Sequence, residues 1–195
     1  MEKIKILVAT NNPGKLKEFK DHLKEFEILS LSDVGEKIPE PVEDGKTFFD
    51  NSLLKAKYYA ENFGRLTIAD DSGLCVNALN GRPGVFSSRY AEGDYKKAYQ
   101  KLFKELEDKD DRSAYFQAVI TLYEPSEGKY KQFDGKCEGE ILKEAQGTEG
   151  FGYDPIFSPK GLQKSFGECS PEEKYKYDHR KKAIDKLIEY LKETK

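Results

Sequence analysis

Lys15 closes the segment Thr10-Asn11-Asn12-Pro13-Gly14-Lys15, which follows the apolar run Ile6-Leu7-Val8-Ala9 and precedes the charged stretch Leu16-Lys17-Glu18-Phe19. An apolar β-branched run, a turn rich in Asn, Pro and Gly, and an amphipathic segment spell a strand, a tight loop and a helix N-terminus. Such a junction offers backbone N–H groups and the positive end of the helix dipole to an anion. A lysine there adds a compact, mobile charge suited to phosphate. The segment is not a Walker loop. Ala9 takes the place of its first glycine, and Leu16 the place of the Ser or Thr hydroxyl that would ligate magnesium.

A second chemical element is Ile68-Ala69-Asp70-Asp71-Ser72-Gly73-Leu74, two adjacent carboxylates where a buried strand is expected to stop. Neighbours on a strand point to opposite sides, so the two need not face one ligand. They fit a turn with an Asp cap. They also fit a hard-cation site, because Mg²⁺ takes one or two carboxylates and completes its shell with water and substrate phosphates. A further acidic group, Glu40, Glu43 and Asp44, lies in the next loop upstream. Beside a phosphate-binding turn, two acidic loops favour a metal–phosphate site.

The third element is Gly150-Phe151-Gly152-Tyr153-Asp154-Pro155-Ile156-Phe157. Glycines on both sides of an aromatic let the backbone approach a flat ligand, and an exposed Phe ring stacks on a base. A tight turn carrying core aromatics is the plainer alternative. Ser165-Phe166-Gly167-Glu168, Lys174 and Asp178-His179-Arg180 follow.

Elements must position these groups. Apolar spacing predicts a strand over 4–10, a helix over 15–25, a short strand over 26–31 and a polar loop over 33–46. A helix over 47–63 buries Phe48, Phe49, Leu53, Ala56 and Ala60 on one face. A strand from Arg65 to Ala69 ends at the Asp pair, and a helix over 94–107 follows the Gly-rich stretch 81–93. Strands over 113–123 and 129–137 flank the hairpin turn Glu124–Gly128, and a last helix covers 179–193. Helices alternating with strands, plus one hairpin, predict a mixed α/β sheet. Ligands in such folds sit beyond the carboxyl ends of strands, where Thr10–Lys15 and Asp70–Gly73 are both expected.

The 195 residues suffice for one substantial core. Twelve Tyr and twelve Phe argue against disorder, although charged residues make up 35%. A net charge of −3 provides no basic field for nucleic acid, so a phosphate ligand must be held by local lysines or a metal. No apolar run approaches the roughly 18 residues that span a bilayer. The start Met1-Glu2-Lys3 does not read as a leader. Cys75, Cys137 and Cys169 are widely spaced without a CxxC, which fits a reducing cytoplasm and no structural zinc.

In their order, Thr10–Lys15, Asp70-Asp71-Ser72-Gly73-Leu74, Pro83-Gly84-Val85-Phe86-Ser87-Ser88-Arg89-Tyr90, Gly150–Pro155 and Lys174 with His179-Arg180 closely resemble the Ham1-like inosine/xanthosine triphosphate pyrophosphatases. The resemblance covers residues 4–190. It implies one domain over 1–195 with a mixed α/β fold. An elongated central sheet would be flanked by helices, with two lobes and the active site in the cleft between them. It also implies Mg²⁺-dependent hydrolysis of ITP, dITP and XTP to monophosphate and pyrophosphate, by a cytoplasmic homodimer.

By that resemblance Thr10, Asn11, Asn12, Pro13, Gly14 and Lys15 would hold the triphosphate, with Lys15 and Lys55 countering its charge. Glu43 and Asp71 would position the metal, and Asp71 would activate water. Asp70 and Ser72 would support the site, and Arg89 would orient phosphates. Phe151 would stack on the purine, Gly152, Tyr153 and Asp154 would shape its pocket, and Lys174, His179 and Arg180 would face its keto edge. The chain departs from the family pattern at Asn11 (usually Gly), Val42 (often acidic) and Asp178 (usually Ser). A Maf-like pyrophosphatase and a non-catalytic nucleotide sensor are the alternative expectations.

Overall fold

Asn12 and Pro13 start the first helix two residues earlier than the amphipathic pattern alone suggests. Proline is preset for the first helical position, and Asn12 caps it, so α1 runs Pro13–His22. The chain then returns quickly, because the strand after α1 pairs from Glu27. The computed structural model describes residues 3–35 and 37–194. Met1, Glu2, Glu36 and Lys195 lie outside the described residues, and with them the extreme N-terminus and one position of the polar loop over 33–46.

The strands are β1 (Lys5–Val8), β2 (Glu27–Ser30), β3 (Thr67–Val76), β4 (Ser113–Glu124), β5 (Lys129–Ile141) and β6 (Phe157–Pro159). The remaining helices are α2 (Phe48–Phe63), α3 (Tyr95–Glu105), α4 (Pro171–Tyr175) and α5 (His179–Glu193). The strands form one sheet in the order β2-β1-β3-β4-β5-β6. β1 pairs in parallel with β2 (Leu7 opposite Leu29) and with β3 (Val8 opposite Ile68). β6 runs antiparallel to β5, with Ile141 opposite Phe157. The mixed α/β expectation is borne out.

Local chemistry sets several boundaries. Thr47 and Asp50 form a capping box at the start of α2, and Gly64 ends it in the left-handed region at φ 60°. Asp94 caps α3. The expected turn at Asp70–Gly73 is absent, because β3 continues through these residues to Val76. Gly73 serves close approach instead: a Cβ there would lie 2.3 Å from the Gly84 carbonyl oxygen and 2.4 Å from Ser87 Oγ. β5 extends to Ile141, four residues beyond its expected end, and β6 pairs with that extension. A three-residue strand leaves too little periodicity to read in advance.

The chain divides into two compact units. Unit 1 comprises Met1–Asp71, Ala118–Gly135 and Arg180–Lys195; unit 2 comprises Ser72–Gln117 and Lys136–His179. Unit 1 buries Ile6, Val8, Phe19, Ile68 and Ile120 against Ala183, Ile184 and Leu187 of α5. It also packs Leu7, Ala9 and Ala69 with Ala56, Tyr59 and Ala60 of α2. Unit 2 gathers Leu74, Val76, Leu102, Phe116, Phe157 and Phe166. The chain leaves unit 1 after Asp71 and again after Gly135, and re-enters it at Ala118 and at Arg180.

A Cβ on Gly139 would lie 2.2 Å from the Ser158 carbonyl oxygen and 2.6 Å from Phe157 Cζ, so Ala there must push β6 off β5. Gly139→Ala is expected to cost about 1–3 kcal/mol, the usual range for overpacking. An unchanged urea midpoint would contradict the close pairing.

Candidate active site

The turn before α1 is closed by its own side chains. Asn12 Oδ1 accepts from the amides of Gly14 (2.9 Å) and Lys15 (3.1 Å), and the Asn12 amide donates to Thr10 Oγ1 at 3.1 Å. The Leu16 amide donates to the Asn12 carbonyl. An Asn cap thus competes for the Gly14 and Lys15 amides with any anion at this turn. The helix dipole and the lysine side chains are what this turn offers to phosphate. Asn11 sits exposed, its amide hydrogen-bonded to Glu40, and Pro13 occupies the first helical position.

Lys15 is not a freely solvated charge. Its side chain is 17% exposed, and Nζ lies 3.3 Å from Asp70 Oδ2. The same oxygen accepts from Arg180 Nε at 3.2 Å, and the Arg180 guanidinium also donates to Glu18. Asp70, Arg180 and Glu18 are all buried. Burial alone would raise the Asp70 carboxyl, but Lys15, Arg180 and Lys55 outweigh it and hold the group far below the carboxylate range. Burial pulls the Lys15 ammonium down, and Lys55 and Arg180 add to that against the attraction of Asp70 and Asp71.

Asp71, the next residue, is the opposite case. Burial pushes its carboxyl above the usual value, with Glu43 and Asp70 adding to the rise and Lys55 and Lys15 opposing it. Lys55 Nζ stands 3.4 Å from Asp71 Oδ1 and 3.2 Å from Glu43 Oε2. Although burial disfavours that ammonium, Asp71, Asp70 and Glu43 together raise it. Asp71 Oδ2 is buried without a hydrogen-bond partner. An unpartnered buried carboxylate oxygen costs free energy, so it marks a place for a cation or a proton. Glu43 and Asp71 are hard oxygen donors, and their type fits Mg²⁺. No group of three or more His, Cys, Asp or Glu gathers around a common metal position among the described residues. Two protein carboxylates suit an ion that keeps water and substrate oxygens in its shell.

The base-recognition candidates, Arg180 apart, fall in unit 2. Asp154 Oδ2 accepts from the Phe151 amide (2.9 Å) and from Lys174 Nζ (2.8 Å). Lys174 and Asp154 are both buried, and the ammonium lies 4.8 Å from the centroid of Phe151 and 5.7 Å from that of Phe166. A Cβ on Gly150 (φ +73°) would lie 2.0 Å from Asp154 Oδ2, so this clamp requires glycine. The Gly152 carbonyl accepts from Tyr99, and Tyr153 is buried with its hydroxyl donating to the Ser87 carbonyl at 2.6 Å. His179 stacks on Phe116 with centroids 4.8 Å apart and rings 13° from parallel. Its Nδ1 lies 3.0 Å from Asp178 Oδ1.

Arg180 belongs to unit 1, with its guanidinium on Asp70 and Glu18. A buried guanidinium must be paired, and two carboxylates claim it there. Arg89 is exposed in unit 2 with its guanidinium 5.3 Å from the centroid of Phe86. Ser72 is half-buried and begins unit 2. Sequence reasoning missed Glu18 and Tyr99. Glu18 stands three residues after Lys15 on α1, a spacing that puts both on one helix face and could have flagged it.

The Ham1 family model matches residues 6–190. The chain belongs to the Ham1 family. A protein of Oceanobacillus iheyensis named dITP/XTP pyrophosphatase is 46% identical over 194 residues, spanning 96% of this chain and 98% of that one. One of the same name from Aquifex aeolicus is 42% identical over 200 residues, with 97% of each covered. Among solved structures, the Staphylococcus aureus Ham1 protein superposes with a TM-score of 0.89 at 37% identity, over 98% of this chain and 100% of that one. These Ham1 relatives bear out the expected family and enzyme class, a hydrolase. Among the described residues no helix is long and apolar enough to cross a membrane.

The depressed Asp70 carboxyl fixes a pH dependence. Its folded value lies below the roughly 3.9 of an unfolded chain, so the unfolded state binds more protons in acid. The stability it contributes is full above that value and is lost as pH falls toward the folded one. Asp71, shifted upward, acts in the opposite sense. Asp70→Asn is expected to cost about 3–5 kcal/mol at pH 7 by stranding buried cations, and to flatten the loss of stability as pH falls below about 4. Urea unfolding across that range checks both, and an acid limb identical to the parent's would contradict the pairing.

Proposed function

We propose that this Ham1 protein hydrolyses dITP, ITP and XTP between the α and β phosphorus atoms, giving nucleoside monophosphate and pyrophosphate, with Mg²⁺. The observation that carries the reading is in unit 1: Asp71, raised by burial and holding one unpartnered oxygen, joined to Glu43 through Lys55. A raised carboxylate is a better proton acceptor, so Asp71 takes the proton of the attacking water. Glu43 and Asp71 would hold the metal, which would supply charge neutralisation at the phosphates and a more acidic water. Lys15 and Lys55 counter the remaining triphosphate charge. Asp70, locked ionised by Lys15 and Arg180, keeps Lys15 in place rather than moving protons.

Unit 2 supports the base half. Phe151, with Lys174 and Asp154 fixed at its side, provides a ring for stacking on a purine, and Gly152 and Tyr153 shape the surrounding backbone. Lys174 and His179 supply the polar groups that read a C6 keto oxygen, which inosine and xanthosine carry and adenosine replaces with an amine. Each donor left unpaired against adenosine costs about 1–3 kcal/mol. A cytoplasmic homodimer clearing deaminated purines from the nucleotide pool completes the proposal.

Release of pyrophosphate with Mg²⁺ from ITP, XTP, dITP, GTP, ATP and dTTP tests it. Strong preference for the first three is expected. Orthophosphate as the sole product, or dTTP far above ITP, would overturn the assignment, and tight binding without turnover would mark a sensor. Asp71→Asn is expected to lower kcat by about 10²–10⁴, the scale of general base catalysis. Phe151→Ala should mainly raise KM, by about 1–3 kcal/mol of lost stacking. An unchanged KM would remove the ring from base recognition.

A further inference from the structure

Lys55 spends its charge on the two residues assigned to the metal. Its ammonium lies 3.2 Å from Glu43 Oε2 and 3.4 Å from Asp71 Oδ1, and its side chain is only 13% exposed. A cation bound by those oxygens and an ammonium on the same oxygens repel strongly at such separations. Asp71 presents two unequal oxygens: Oδ1 faces Lys55, whereas Oδ2 is buried without a partner. Lys55 projects from α2, which is fixed by the Thr47–Asp50 box at one end and Gly64 at the other. The four-carbon stem can therefore carry the charge away while the helix stays still.

We infer that Lys55 and a divalent cation compete for the Glu43–Asp71 pair, so that metal is held weakly until nucleotide phosphates draw the ammonium off. The inference rests on the metal reading of Glu43 and Asp71. It gives Lys55 two successive partners, first the carboxylates and then the triphosphate, and Asp71 Oδ2 is the contact a metal can make before Lys55 leaves. The consequence is linkage: metal and nucleotide each favour the other because each relieves the conflict around one ammonium. An isolated divalent ion would be discouraged, and its complex with a triphosphate welcomed.

The test titrates the full chain with Mn²⁺ and reads free Mn²⁺ by electron paramagnetic resonance, with and without the α,β-methylene analogue of ITP. Without nucleotide, Lys55→Gln is expected to bind Mn²⁺ about tenfold more tightly than the parent, within the usual range of coupling between sites. Lys55→Arg, which keeps the charge, should stay near the parent. The analogue should tighten Mn²⁺ binding far more in the parent than in Lys55→Gln. Lys55→Met gives the same reading should the Gln variant fail to fold. Equal or weaker Mn²⁺ binding in the uncharged variants would overturn the competition. Glu43→Gln separates the two failures. If it weakens Mn²⁺ binding while Lys55→Gln changes nothing, only the competition falls; if it leaves Mn²⁺ binding unchanged, the metal reading falls and the competition with it.

Discussion

Two carboxylates at consecutive positions of a buried strand are the constraint on which the rest of unit 1 depends. Asp70 and Asp71 are both nearly inaccessible, and burying even one carboxylate is costly unless it is paired. β3 resolves this by sending them to different partners. Asp70 takes Lys15 from α1 and Arg180 from α5, and Glu18 takes the remaining face of that guanidinium. Among the described residues Asp71 forms its ion pair with Lys55, shared with Glu43, and keeps one oxygen without a hydrogen-bond partner. One acid is thereby held ionised as a structural anchor for three elements, while burial pushes the carboxyl of its neighbour upward. Separating paired acids by their surroundings is a recurrent way to divide roles between two like groups.

Unit 2 solves a related problem with one pair. Lys174 and Asp154 are buried together, and the same Asp154 oxygen also holds the Phe151 amide. The ammonium lies near the Phe151 and Phe166 rings, which provide a cation–π surface where water is scarce. Gly150 makes this possible, because any side chain would displace the carboxylate. The aromatic ring, the charge near it and the backbone that carries it are thus set by a single side chain, Asp154. Preorganisation of this kind limits the ordering cost of binding a flat ligand.

What was legible in the sequence were signals carried by residue type at short range. The helix over 47–63, the Glu124–Gly128 turn and the helix over 179–193 fall within a residue or two of their elements in the structure. The Asp70–Gly73 segment was misread as a turn because Asp and Gly favour turns locally, whereas here lysines and an arginine from other elements make the carboxylates tolerable in a strand. The closing of the α1 amides by Asn12 was written in its Asn-Pro-Gly sequence, but a capping side chain and a waiting anion site look alike until the hydrogen bonds are seen. The diversion of Arg180 to Glu18 and Asp70 was not legible, since it joins residues 162 and 110 positions apart.

The central claim is that adjacent acids of one strand are driven in opposite directions, and a carboxyl-detected NMR titration of Asp70 and Asp71 tests it most directly. Asp70 should remain ionised well below the ordinary range near 3.9, while Asp71 should take up its proton above it. Two overlapping titrations near the ordinary value would show that Lys15 and Arg180 do not separate the pair, and the division of roles built on them would fail.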